Sequence, residues 1–305
     1  MYDVIIVGSG PAGMTAGIYA ARREMKALVI GRELGGQLVW ASEIENYPGF
    51  ENIQSFDLIN KIKEQTLKSG AEMKEDEIKK IEKREDGTFL LHGIRDTFEA
   101  KTVIISMGLA PRRLATPGEI EFNGRGVSYC ANCDGPFYRN KIVAVIGGGN
   151  SALDAAEVLS KIAKQVYLIH RGESYRAFES LIDEVEKREN IENILSSDIK
   201  SIEGSSKVEK IKIINSKTKE EREIPLDGVF IEVGRIASTD LVAEFVERNE
   251  KNQIIVNDNM ETSTPGLFAA GDVTKVEHKQ ITIAMGQATI AALNAYQYLQ
   301  LKESK

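Results

Sequence analysis

Hydrophobic residues along this chain gather in short runs closed by glycine. Val4–Val7, the run ALVIG ending at Gly31, Ile142–Ile146 and Val166–Ile169 are rich in Val and Ile and carry almost no charge. Apolar runs of this length predict strands buried on both faces, the pattern of a parallel sheet covered by helices. Two of them lead into glycine clusters and then into small-residue helical stretches, one running through Ala21 and one to about Ala163. Near the C-terminus, TPGLFAAGDV predicts a strand ending at Gly271-Asp272, followed by an apolar-faced helix in KQITIAMGQATIAALNAYQYL. The stretches KEDEIKKIEKRED (74–86) and DEVEKRENIEN (183–193) read most simply as solvated faces.

The two strand-to-helix junctions carry chemistry. In the first, Gly8-Ser9-Gly10-Pro11-Ala12-Gly13, each glycine has a use. Gly8 allows a tight turn, Gly10 lets a pyrophosphate approach the backbone, and Gly13 lets helix and strand pack closely. The helix N-terminus then faces the phosphates. The second junction, Gly147-Gly148-Gly149-Asn150-Ser151-Ala152, repeats the arrangement. Two dinucleotide folds imply two dinucleotides. An NAD site usually places a carboxylate about 20 residues past the fingerprint, on the ribose 2′-hydroxyl. Here that position is His170, with Arg171 beside it and Arg176 nearby, and cations suit a 2′-phosphate, so the second site reads as NADPH. The bland alternative is a solvated basic loop. Glu33 lies 20 residues beyond Gly13 but outside its strand, and no ribose contact is assigned to it. Gly35-Gly36-Gln37 and ENYPGF, with Asn46 and Pro48, read as rigid turns, the first as backbone meeting a bulky ring.

Composition narrows the class. The 305 residues are 42% hydrophobic and 28% charged, enough for about two domains with developed cores. A net charge of -7 argues against a nucleic-acid protein. No apolar run approaches the ~18 residues of a membrane span, and MYDVIIVG has no basic n-region, so it does not read as a signal peptide. The expected location is cytoplasmic, where cysteines are seldom structural staples. The chain has two, Cys130 and Cys133, in YCANCDG. Zinc would need further ligands, and the three histidines, His92, His170 and His278, are scattered; no metal is expected. Two inert buried thiols stay open as an alternative. The reading preferred is a redox pair, one thiolate attacking a disulfide and the other resolving it.

Taken together, GSGPAG, GGQL, ENYPG, CANCDG, GGGNSA, HRGESYR, AAGDV and KQ, in this order, resemble the low-molecular-weight, bacterial and archaeal type of thioredoxin reductase, a class II pyridine nucleotide-disulfide oxidoreductase. The resemblance covers essentially the whole chain. It implies an α/β fold of two Rossmann-like, three-layer dinucleotide-binding domains, the second inserted into the first: 1–110 and 240–305 for FAD, and 111–239 for NADPH and the cysteines. It places Gly8, Gly10, Pro11, Ala12 and Gly13 on the FAD pyrophosphate, with Gly36, Gln37 and Asn46 along the flavin. Asp272 would meet the ribityl-phosphate chain, with Gln280 and Ile281 near the ring. Gly147, Gly149, Asn150, Ser151 and Ala152 would cradle NADPH, with His170, Arg171 and Arg176 at the 2′-phosphate end.

The implied reaction runs from NADPH through FAD and a Cys130–Cys133 disulfide to thioredoxin or a similar small dithiol protein. In it Cys133 faces the flavin, Cys130 attacks the partner, and Asp134 moves a proton; a turn role before Gly135 is the alternative for Asp134. The inserted domain would rotate about crossings at 108–118 and 233–240, and the molecule would be a homodimer. Three departures stand out. Asn132 replaces the usual Thr, HKQ (278–280) replaces Tyr-Arg-Gln, and Gly172-Glu173 interrupts the basic signature. The last weakens NADPH preference and leaves NADH open as donor; ferredoxin as donor, and a peroxiredoxin-type system as acceptor, are the further alternatives.

Overall fold

The computed structural model describes residues 1–40 and 43–303. It divides into two compact units, Met1–Ala110 with Ile236–Lys305, and Pro111–Arg235. The first crossing falls after residue 110. The return crossing falls between Arg235 and Ile236, ahead of the 239/240 boundary expected from the sequence. The reason is local. Thr239 is fully buried, its hydroxyl donates to the Asn252 carbonyl at 2.6 Å, and Arg248 reaches both Thr239 and Asp240, so these residues are tied to the first unit.

The first unit opens with β1 (Tyr2–Val7), α1 (Pro11–Ala21) and β2 (Ala27–Gly31), then α2 (Ser55–Lys68) and β3 (Glu72–Glu75). An antiparallel meander follows, β4 (Ile78–Lys83), β5 (Phe89–Gly93) and β6 (Thr97–Ile105). The seven-stranded sheet has the order β3-β2-β1-β6-β5-β4, and Leu267–Ala269 joins it in parallel on β6. Val4, Ile5 and Ile6 are fully buried, as a central parallel strand requires. Over α1 lies the long C-terminal helix Ile281–Glu303. Ala288, Ala291 and Ala295 of that helix share a core with Ala16 and Ala20 of α1, small side chains that let two helices approach.

The stretch 74–86 departs from its expectation as a solvated face. It contains β4, in which Ile78 and Ile81 are both buried. A register shift between Ile78 and Lys80 explains this, since an extra residue puts positions three apart on one side of a strand and breaks the period-two signature. The stretch 183–193 also buries Val185 and Ile191.

In the second unit, β7 (Val127–Ser128) is followed by a single helical turn, α3 (Ala131–Asp134), and then by β8 (Ile142–Ile146), α4 (Asn150–Ser160) and β9 (Gln165–Ile169). Next come α5 (Glu179–Glu186), β10 (Ile191–Ile194), a three-stranded antiparallel sheet, β11 (Ser197–Gly204), β12 (Val208–Asn215) and β13 (Glu221–Pro225), and finally β14 (Gly228–Ile231). The five-stranded sheet is wholly parallel with order β7-β14-β8-β9-β10. Strand order reverses at β8, so the crevice between β8 and β14 is where such a sheet takes its ligand. Among the described residues no helix is long and apolar enough to cross a membrane.

Candidate active site

Both fingerprints form the strand–turn–helix unit they predict. In the first unit a Cβ on Gly13 would sit 1.7 Å from the Gly8 carbonyl oxygen, so glycine there is demanded by packing. Gly10 is different. A Cβ on it would come no closer than 3.7 Å to any protein atom, the Gly36 Cα. The fold does not need glycine at that point, whereas a ligand lying on the backbone would. Gly10 is also the N-cap of α1, whose first turn holds no acid and whose cap makes no side-chain hydrogen bond. The free amides and the positive helix end fit a pyrophosphate.

Other residues singled out in the sequence converge on this cradle. The Gly35 amide donates to the Ser9 carbonyl at 2.9 Å, which brings Gly36 against Gly10. A Cβ on Gly271 would lie 3.1 Å from that of Ala12, so the turn carrying Asp272 rests on α1. Gln37 Nε2 donates to Asp272 Oδ2 at 2.6 Å, and Asn46 Nδ2 to Gln280 Oε1 at 3.3 Å, next to Ile281 at the start of the last helix. Lys279, to which the sequence assigns no role, donates to the carbonyls of Asp272 and Thr274, both at 2.9 Å, and braces the turn. Burial holds its ammonium below the usual lysine range, with the nearby Asp272 charge opposing.

The second cradle has the same logic. A Cβ on Gly149 would meet nothing nearer than the Arg176 carbonyl, at 3.9 Å, and Gly149 caps α4 with no side-chain bond. Ser151 is exposed and Ala152 is buried behind it. The Arg176 amide donates to the Gly148 carbonyl at 2.7 Å, and Asn150 Oδ1 accepts from the Phe178 amide at 2.8 Å, so the basic loop folds back onto the fingerprint. His170 is not one of its cations. Its ring fills the space beside Gly148 and stacks on Tyr175 at 5.9 Å; burial lowers its pKa although the ring donates to the Ser174 backbone, which opposes the drop, with Arg171 and Arg176 adding to it. Arg171 and Arg176 are exposed and, among the described residues, form no ion pair, while Glu173 pairs with Lys217 at 2.9 Å.

Cys130 and Cys133 are joined as a disulfide. Cys130 caps α3, and its Sγ accepts the Cys133 amide at 3.1 Å. Cys130 is 7% exposed, whereas Cys133 faces solvent. Asp134 is held by a residue that sequence reasoning missed. Ser128 Oγ donates to Asp134 Oδ2 at 2.6 Å and accepts the Cys130 amide at 3.0 Å. A lone serine two positions before a cysteine carries no periodic or motif signal, so only the fold reveals the clamp.

Residues 2–288 match the pyridine nucleotide-disulphide oxidoreductase family. The chain is 38% identical to thioredoxin reductase of Listeria innocua over its whole length and 96% of that protein. Its structure is similar to that of Lactococcus lactis thioredoxin reductase, with TM-score 0.90, 40% identity, and coverage of 98% of this chain and 99% of that one. Thioredoxin reductase of T. acidophilum is similar at TM-score 0.87 and 36% identity, with 97% and 98% covered. With its paired cradles and its cysteine disulfide, the chain belongs to the pyridine nucleotide-disulphide oxidoreductase family and is a flavoprotein disulfide reductase.

Proposed function

We propose that this enzyme carries electrons from NADPH through FAD and the Cys130–Cys133 disulfide to thioredoxin or a similar small dithiol protein. The observation that carries this reading is the disulfide itself, formed by the chain's two cysteines at the start of α3 beside a clamped carboxylate. FAD and NADPH are the cofactors of the family. FAD would be held by Gly8, Gly10, Pro11, Ala12 and Gly13, with Gly36, Gln37, Asn46, Asp272, Gln280 and Ile281 along the rest of it. NADPH would lie on Gly147, Gly149, Asn150, Ser151 and Ala152, its 2′-phosphate on Arg171 and Arg176, with His170 as a neutral packing group behind them. Bound FAD supplies a two-electron carrier between nicotinamide and disulfide.

Two electrons and a proton open the disulfide to one thiol and one thiolate. The amide donated to Cys130 Sγ stabilises negative charge on that sulfur and makes Cys130 the better thiolate. It attacks the partner disulfide, expelling a thiolate and leaving a mixed disulfide that Cys133 resolves. Asp134, held by Ser128, is placed to exchange a proton with the pair. Exposure points the other way, since Cys133 is the more accessible residue. Thiolate character sets nucleophilicity, so Cys130 keeps the attacking role, and its burial requires local opening first. Phe137, 73% exposed, offers an apolar contact to a docking protein. On the same reading the molecule is a cytoplasmic homodimer.

The test is NADPH-dependent reduction of thioredoxin by the purified protein, with NADH and reduced ferredoxin as alternative donors. With both cysteines changed to serine, flavin reduction by NADPH should survive and thioredoxin reduction should vanish. Wild-type turnover in that double variant would sink the proposal. Cys133→Ser should trap a mixed disulfide with a single-cysteine thioredoxin activated as its thionitrobenzoate mixed disulfide, Cys130 displacing thionitrobenzoate as the leaving thiolate. Trapping by Cys130→Ser instead would reverse the two roles.

A further inference from the structure

The ligand edge of the second sheet holds a carboxylate that no sequence motif flags. Glu232 directly follows β14. Its amide donates to the Ile146 carbonyl at 2.8 Å, extending the Ile146–Ile231 pairing by one residue. Its own carbonyl oxygen lies 2.2 Å from where a Cβ on Gly147 would be. Glu232 therefore flanks the first glycine of the second fingerprint. Gly228–Ile231 before it is wholly buried and apolar, so Glu232 is the first charged side chain along that strand and is only partly covered.

Strand order decides which part of a dinucleotide would pass this residue. The loop with Arg171 and Arg176 extends from β9 on one side of β8, and β14 lies on the other side. A pyrophosphate at the start of α4 sends its two nucleosides in opposite directions across such a crevice. With the 2′-phosphorylated ribose over β9, the nicotinamide half runs over β14. That ring is cationic when oxidised and neutral when reduced.

We infer that Glu232 is a specificity residue for the pyridine nucleotide, its carboxylate facing the nicotinamide half and favouring the oxidised, cationic form. The inference rests on the reading of this cradle as the NADPH site. Burial pushes the Glu232 carboxyl up to about 7, with Arg235 opposing and Asp154 of α4 adding to the rise. Its charge thus changes across the neutral range. A cation beside it stabilises the carboxylate, so NADP⁺ binding releases a proton and tightens as pH rises. For a pKa of about 7, the ionised fraction grows from roughly a tenth at pH 6 to roughly nine-tenths at pH 8. Affinity for NADP⁺ gains up to roughly ninefold over that interval.

The experiment is calorimetric titration of the oxidised holoenzyme with NADP⁺ and with tetrahydro-NADP, a neutral-ring analogue that donates no hydride. Both carry the same 2′-phosphate, so their affinity ratio cancels its titration and that of the arginines around it. The ratio should rise several-fold in favour of NADP⁺ between pH 6 and 8 in the wild type and stay level in Glu232→Gln. A level ratio in the wild type, or an equal rise in both proteins, would overturn the inference while leaving the nucleotide site intact. If neither nucleotide bound the wild type, the cradle assignment itself would fall, and this inference with it.

Discussion

Ser128 joins two groups through one hydroxyl, taking the Cys130 amide and giving its proton to Asp134. Truncation removes one hydrogen bond from each of these groups, a cost of about 1–3 kcal/mol in all. Ser128→Ala should lower disulfide turnover with no change in the rate at which NADPH reduces the flavin, and Ser128→Thr should restore it. Loss of both rates together would make Ser128 merely structural. On the proposed reading of the second cradle, burial keeps His170 from serving as a cation and two arginines would read the 2′-phosphate. An exposed ion pair is worth about 0.2–1 kcal/mol, so Arg171→Ala should raise the Michaelis constant for NADPH by roughly 1.4- to fivefold. The constant for NADH should hardly move. Equal changes for both nucleotides would place the phosphate elsewhere.

Among the elements of the first unit, the β4–β6 meander depends on one carboxylate. Asp76 is 5% exposed and accepts amides from Glu77, Ile94, Arg95 and Asp96, which joins the turn before β4 to the turn before β6. Burial alone would raise its pKa, but the four amides outweigh it and hold the carboxyl below the usual aspartate value. A depressed pKa stabilises the fold above the unfolded value, and that contribution disappears as pH falls through the folded value. Asp76→Ala should therefore cost about 1–3 kcal/mol in urea unfolding at neutral pH, a difference that shrinks below about pH 4. A gap that persisted unchanged into acid would show that the carboxylate charge is not what holds the turns.

At the scale of the molecule, the first unit is assembled from both ends of the chain, and its cradle is completed by Asp272 and Gln280 meeting Gln37 and Asn46 more than 230 positions away. A ligand that binds only the assembled cradle stabilises the fold by mass action, about 4 kcal/mol at a thousandfold excess over its dissociation constant. The purified protein should carry one FAD per chain, and stripping it should lower the melting temperature, with recovery on adding FAD back. Protein that stayed colourless in the presence of FAD would count against the cradle.

Local pattern was enough for the two fingerprints, because tight turns, close helix–strand packing and backbone open to a ligand each demand glycine at set spacing. It was enough for the alternating strands and helices, and it singled out the cysteine pair by residue type alone. Four features were decided only by the folded chain. Residue 232 became part of a ligand edge because β14 and β8 are neighbours in space. Ser128 became a clamp because α3 turns Asp134 back toward it. His170, basic by composition, lost that character through burial between Gly148 and Tyr175. The charged stretch at 74–86 hid a core strand because one extra residue in its ladder breaks the periodicity by which a strand is recognised. Sequence pattern records what a residue does with its near neighbours, and each of these four depends on a partner or a register that only tertiary packing supplies.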